Sequence, residues 1–317
     1  MGTYDSAYHR PVLLEQTLDM LCVRPDGVYV DGTAGGGGHS LAIASRLQGG
    51  RLLALDRDPD AVREAGNRLQ GYPAEVVQAN FVDMAAVLRA RGINGADGIL
   101  LDIGVSSHQL DDAARGFSFH QDAPLDMRMS REGLTAADLL NTADEAQLAR
   151  WFFTYGEEKF SRRIAAAVVR QRQTAPIRTT GELAELICAA VPAAARRDGH
   201  PARRVFQALR IAVNDELGCL DKALDAAFDC LRVGGRLCVI TFHSLEDRMV
   251  KQRFAAFCTG CTCPKDFPVC VCGKTPAGEP ITRKAVTADE AELEANPRAR
   301  SAKLRGVIKR KDREKGE

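Results

Sequence analysis

Between residues 28 and 102 the chain alternates short strand-like runs with helix-like segments, and this order restricts the fold more than any other property of the sequence. Strands are expected at 28–31, 51–56, 75–78 and 98–102, with helices at about 40–47 and 59–69. The fourth run is continuously apolar, which suits a strand covered on both faces. Such alternation builds right-handed βαβ units and a parallel sheet. The next convincing strand, 236–242, begins 134 residues after Asp102 (236 − 102), whereas a crossover needs only about a dozen. The surplus reads as helical: 144–153, 161–173, and a segment opened by Thr179 with Glu182 at capping-box spacing. The expected architecture is an α/β sheet domain, 1–112 with 206–317, carrying an inserted all-helical domain at 113–205. A long helix, 203–231 with a weak point at Gly218, returns the chain to the sheet. A Cys- and Pro-rich stretch, an acidic helix at 289–294 and a strand at 303–308 follow, and a disordered charged tail is expected from Lys309.

Composition excludes more than it assigns. Lys and Arg number 43 against 42 for Asp and Glu, so bulk charge makes no case for nucleic acid and any basic surface must be local. No stretch approaches the roughly 18 apolar residues of a spanning helix, and no basic-then-apolar signal pattern opens the chain. The expectation is a cytoplasmic protein with no membrane partner. Five of the ten Cys (Cys22, Cys188, Cys219, Cys230, Cys238) sit singly in apolar segments, as reduced thiols do.

The segment Tyr29-Val-Asp-Gly-Thr-Ala-Gly-Gly-Gly-Gly-His39 sets a carboxylate and a Gly-rich turn just beyond the first strand, where open α/β sheets bind ligands. The dinucleotide register fails at Ala34, Ser40 and Leu41, and the P-loop fails for want of Gly-Lys-Ser/Thr. S-adenosylmethionine, which has a sulfonium, an amino-acid end and a ribose but no phosphate, fits what remains. Asp31 is expected near its cationic groups and Asp56, closing the second strand, at its ribose hydroxyls. Asn80-Phe81 is a candidate for packing against adenine, though a Phe at a strand end is also ordinary core.

Asp102-Ile-Gly-Val-Ser-Ser-His-Gln109 follows the fourth strand. The lone pair of a cytosine exocyclic amine is delocalised into its ring, so methylating it needs hydrogen-bond acceptors and alignment. Asp102 is the candidate acceptor, with Gly104 letting a base approach the backbone. His243-Ser-Leu-Glu-Asp247 ends the fifth strand; His243 is a second catalytic candidate, weighed against a structural histidine. Methylation at ring carbon would call for a Cys nucleophile, and no Cys occupies the loops after the second, fourth or fifth strand.

Together, His9-Arg-Pro-Val-Leu-Leu14, 31–40, Leu55-Asp-Arg-Asp-Pro59, 101–112, Arg115-Gly-Phe-Ser-Phe119, Asp126-Met-Arg-Met129, Tyr155-Gly-Glu-Glu158, Phe206-Gln-Ala-Leu-Arg210, Asn214-Asp-Glu216, 242–248 and 301–304 resemble the bacterial 16S rRNA (cytosine(1402)-N(4))-methyltransferases over nearly the whole chain. The resemblance implies a Rossmann-like class I methyltransferase sheet and S-adenosylmethionine-dependent methylation of that cytosine in the assembled small ribosomal subunit. It also implies cofactor contacts from Gly37, Gly38, His39, Asp56, Phe81, Asp102 and Gln109, and an inserted domain that grips RNA. Gly104-Val-Ser stands where many amino-methyltransferases have Pro-Pro-aromatic, which leaves the stacking residue open between Phe117 and Phe119.

Arg203, Arg204 and Arg210, and Arg298, Arg300, Lys303 and Arg305, are candidates for RNA phosphates. Cys258, Cys261, Cys263, Cys270 and Cys272 have spacings compatible with zinc, yet give five thiols for four places. Reduced thiols and a disulfide stay open beside zinc, and no metal is assigned to the reaction site. The sequence assigns no oligomeric state.

Overall fold

The computed structural model describes residues 11–196, 199–261, 263–264, 269 and 271–313. Seven strands form one sheet: β1 (Val28–Asp31), β2 (Arg51–Asp56), β3 (Ala74–Gln78), β4 (Ala96–Asp102), β5 (Leu231–Thr241), β6 (Gly278–Pro280) and β7 (Lys303–Lys309). Their order is β3-β2-β1-β4-β5-β7-β6. β1 to β5 pair in parallel, while β7 runs antiparallel to both β5 and β6. The doubly wound order 3-2-1-4-5 puts the reversal of strand order beside β1 and β4, where a cleft opens past their carboxyl ends.

Strict alternation along the strands explains why the sheet is covered twice. In β2, Leu52 and Ala54 join a core with the helices Leu14–Leu21 and Gly38–Ala44, while Leu53 and Leu55 join a second core with Met84, Leu220, Leu224 and Phe254. Leu100 faces the first core; Ile99 and Leu101 face the second. A period of two feeding apolar side chains to both faces is the pattern of a buried parallel sheet.

Contacts divide the chain into two compact units, 1–104 with 219–317, and 105–218. These boundaries differ from the expected 113–205 because Val105 and Leu110 pack into the helical core at one end, and Phe206, Ala208 and Leu209 do so at the other. Thr179 and Glu182 cap the helix Thr180–Ala190 reciprocally, as their spacing predicts. The irregular stretch around Met127 is pinned from the helix Ala202–Asn214: Asn214 Nδ2 donates to the Met127 carbonyl (2.7 Å) and Asn214 Oδ1 accepts from Met129 N–H (2.9 Å).

Four elements differ from expectation. The single helix at 203–231 is two, Ala202–Asn214 and Glu216–Cys230, and the break falls at Asp215 (φ 46°) rather than Gly218. Asp tolerates the left-handed region, so the break needs no glycine. β5 starts at Leu231, five residues early, because Ala96 pairs with Leu231 and Gly98 with Arg236, so residues 232–235 bulge. β6 carries no strand signal, being three residues at the sheet edge ending in Pro280. Lys309 closes β7 instead of opening a tail: it is buried, and Nζ donates to the carbonyls of Leu231 (2.8 Å) and Asp229 (3.1 Å) while pairing with Asp312 (2.8 Å). Among the described residues no helix is long and apolar enough to cross a membrane.

Lys309→Met keeps the aliphatic bulk but strands two carbonyls, a loss of about 1–3 kcal/mol. The urea midpoint of the variant is expected to fall with unchanged slope; an unchanged midpoint would show that the buried ammonium adds nothing.

Candidate functional site

Register brings three carboxylates to one place. Asp31 of β1 pairs with Ala54 of β2 and with Leu100 of β4, so Asp56 and Asp102 lie two residues further along their strands. Side chains two apart share a face, and all three carboxylates therefore emerge on the same side of the sheet, Asp56 and Asp102 about 7 Å beyond Asp31. That side is the one covered by the helix Gly38–Ala44.

Asp31 is fully buried and saturated by local donors. It accepts from Ser40 Oγ (2.6 Å), from Thr33 N–H (3.0 Å) and from Thr33 Oγ1 (3.4 Å). Burial raises its carboxyl above the usual range against those bonds. These bonds tie Asp31 to both sides of the Gly-rich turn. Thr33 also links two of the carboxylates, because its Oγ1 accepts from the backbone N–H of Asp102 (2.6 Å). Sequence reading passed over Thr33 and Ser40, although a hydroxyl two and nine residues after a strand-ending Asp was a usable signal.

The Gly-rich turn folds back onto Asp56. Gly35 N–H donates to Asp56 Oδ2 (2.8 Å), and Asp58 N–H to Oδ1 (2.9 Å). Gly37 takes φ 76° and passes so near the next helix that a Cβ there would lie 3.3 Å from Ala65 Cα. Gly38 begins the helix Gly38–Ala44 beside Pro11. Asp56 remains partly open, and each oxygen keeps a lone pair beyond its backbone bond, the acceptor set that a vicinal diol needs. Desolvation pushes its carboxyl up to about 6 in spite of those bonds. Phe81 opens a 3₁₀ turn (Phe81–Asp83) whose cap is Asn80, accepting from Val82 N–H (3.1 Å), and its Cβ lies beside Gly32.

Asp102 is the anomaly. Its Oδ1 is buried without any hydrogen-bond partner, and its Oδ2 stands 3.5 Å from His39 Nδ1. The opposite ring nitrogen, His39 Nε2, lies 3.0 Å from the Val12 carbonyl and must donate to it, leaving Nδ1 of a neutral ring as an acceptor. Desolvation first, then the negative charges of Asp31 and Glu246, push the Asp102 carboxyl up to about 8. At neutral pH the protonated form of this carboxyl is therefore favoured. Gly104, two residues on, has φ 136°, a region reserved for glycine, and lies against Phe242.

His243, the second catalytic candidate, caps a helix. As the cap of Ser244–Phe257 its Nδ1 accepts from Glu246 N–H (3.4 Å), and its Nε2 sits 2.9 Å from Glu246 Oε1. Glu246 Oε2 in turn accepts from the N–H groups of Phe242 (3.0 Å) and His243 (3.3 Å). The Nδ1 cap thus holds the imidazole at the end of β5, while Nε2 stays buried without a hydrogen-bond partner. Gln109 lies in the second unit, buried, with Oε1 accepting from Ser106 N–H (3.1 Å) in a reciprocal cap.

Several RNA-contact candidates have protein partners. Lys303 Nζ (3.1 Å) and Arg305 Nε (2.7 Å) pair with Asp247. Arg210 makes a two-pronged pair with Glu216 (2.8 and 2.9 Å). Phe117 is buried in the helical core, and Phe119 stacks on His200 with ring centres 4.5 Å apart. Cys270, His9 and the end of the tail fall outside the described residues.

Residues 6–311 match the profile of the MraW methylase family. The chain belongs to that family. Among its relatives, "Ribosomal RNA small subunit methyltransferase H" of Symbiobacterium thermophilum is 57% identical over 307 residues, covering 95% of this chain and 96% of the relative. The protein of the same description from Heliobacterium modesticaldum is 56% identical over 308 residues, covering 95% and 98%.

Between the ordinary carboxylate value and about 8, the folded chain retains on Asp102 a proton that the unfolded chain has released, so its contribution to stability declines as pH rises through that window. Asp102→Asn abolishes the decline. Its melting temperature is expected to exceed wild type by at least about 2 °C at pH 8, with the gap closing towards pH 4; equal melting at pH 8 would refute the burial argument.

Proposed function

We propose that this MraW-family enzyme transfers a methyl group from S-adenosylmethionine to N4 of cytosine 1402 of 16S rRNA in the assembled small ribosomal subunit. Family membership carries the coarser part: the chain is an S-adenosylmethionine-dependent methyltransferase of small-subunit rRNA. The observation that carries the finer chemistry is the orphaned, desolvated Oδ1 of Asp102 at the end of β4.

The residues present fit the cofactor. Asp56 offers acceptors to a ribose diol, Phe81 an aromatic face to adenine, and Gly37 and Gly38 a close backbone approach. The helix after the turn has only seven residues, and the turn lacks the residues that cradle a pyrophosphate. Asp102, 3.5 Å from His39, is the candidate for the cationic end. Bound S-adenosylmethionine supplies the electrophilic methyl carbon. A nearby cation would lower the carboxyl of Asp102, which would ionise by giving its proton to solvent. The carboxylate then accepts a hydrogen bond from the cytosine amine, restoring electron density to a nitrogen whose lone pair is drawn into the ring. Asp31 acts through Thr33, and His243 through the end of β5, as positioning residues.

The helical unit, 105–218, is assigned to RNA recognition, and exposed Arg203 is its candidate phosphate contact. The reading places the enzyme in the cytoplasm, where small subunits are assembled, without a membrane partner.

Transfer of labelled methyl to small subunits from cells lacking this enzyme, followed by mass mapping, is expected to mark one cytosine at N4. Asp102→Ala is expected to reduce transfer at least about 100-fold with circular dichroism unchanged. Wild-type-like transfer by that variant would overturn the assignment of Asp102. Absence of S-adenosylmethionine binding to wild type in calorimetric titration would instead point to an assembly factor without turnover.

A further inference from the structure

Between Cys258 and Ala277, which pack against the second sheet core, no described residue of the long connection between the helix Ser244–Phe257 and β6 joins an apolar core or the reaction site. The base of the connection is closed by a backbone bond, with Ala277 N–H donating to the Phe257 carbonyl (3.0 Å). Among the described residues of 258–277 there is no strand and no further helix, and Val269 and Val271 are 69% and 73% exposed. A connection of this length with no apolar core of its own needs another source of order.

Three thiols converge within it. The Sγ atoms of Cys261, Cys263 and Cys272 all lie within 4.8 Å of one another, and those of Cys261 and Cys272 are 3.7 Å apart. Four thiolates at about 2.3 Å around a tetrahedral ion have sulfur–sulfur edges of about 3.8 Å. The observed separation matches that edge and is far beyond the roughly 2.05 Å of a disulfide. Sulfur donors select soft or borderline cations, and a closed thiolate set suits structural zinc over a hard ion. Two of the three thiols are partly buried and one is exposed, so an ion bound here would sit at the surface, away from the carboxylates of β1, β2 and β4.

We propose that Cys261, Cys263 and Cys272 form a structural zinc site that orders the connection between the helix Ser244–Phe257 and β6. Cys258, partly buried at the start of the same stretch, is a further thiol for the remaining coordination position. The thiols bind as thiolates, so zinc uptake releases protons to solvent and changes no oxidation state.

The full chain, expressed with zinc in the medium and purified under reducing conditions without chelator, is expected to carry one zinc ion per molecule by elemental analysis. Replacement by cobalt(II) is expected to give the intense visible and thiolate charge-transfer bands of a tetrahedral sulfur site. Cys263→Ser and Cys272→Ser are each expected to lose the ion, while Cys22→Ser, remote in sequence, keeps it. Chelation of wild type is expected to make the connection the first point of limited proteolysis. Metal-free wild type without a cobalt spectrum, full zinc content in Cys263→Ser combined with Cys272→Ser, or a Cys261–Cys272 disulfide in non-reducing peptide maps would each overturn the proposal.

Discussion

A carboxylate oxygen taken out of water and left without a hydrogen-bond partner is the constraint around which this molecule is arranged. Asp102 reaches that state because β4 carries it two residues beyond the point where Asp31 pairs with Leu100, at the edge of a sheet covered on both faces. Burial with two other acids nearby favours the protonated form, with His39 Nδ1 3.5 Å from the carboxyl. A site in that state is biased towards a cationic ligand, since a positive charge compensates what the fold has left unbalanced.

The surrounding parts prevent the chain from relieving this imbalance. Thr33 bonds to both Asp31 and the backbone of Asp102, so the ends of β1 and β4 are tied at the level of the acids. Asp56 holds the Gly-rich turn through Gly35, and the reciprocal cap of His243 and Glu246 fixes the end of β5 while keeping a second buried acid near Asp102. Two glycines serve the same corner: Gly37 passes too near Ala65 to leave room for a side chain, and Gly104, just past the acid, has a φ of 136° that favours glycine.

The parallel sheet was legible because its signals are local: apolar runs of strand length, acids at their ends, and a glycine turn at the first crossover. The three acids were legible for the same reason. What escaped was set by tertiary contact. The break at Asp215 carries no helix-breaking residue, β6 has no strand-like composition, and Lys309 looks like tail until it is seen to saturate two carbonyls. Sequence also overstated the free cations, because the partners of Lys303, Arg305 and Arg210 lie 56, 58 and 6 residues away and motif reading does not pair them. Some motif residues also carry architecture. Asn214 pins the backbone around Met127 and Met129, and His243 caps a helix, so a polar residue in a family motif need not touch the substrate.

The central claim is that the cleft holds an uncharged Asp102 until a cationic donor neutralises its surroundings. Calorimetric titration of S-adenosylmethionine at pH 7 in buffers of differing ionisation enthalpy reads the protons exchanged on binding. The account predicts net proton release by wild type, diminished in Asp102→Asn. Proton exchange that is the same in both proteins would contradict it.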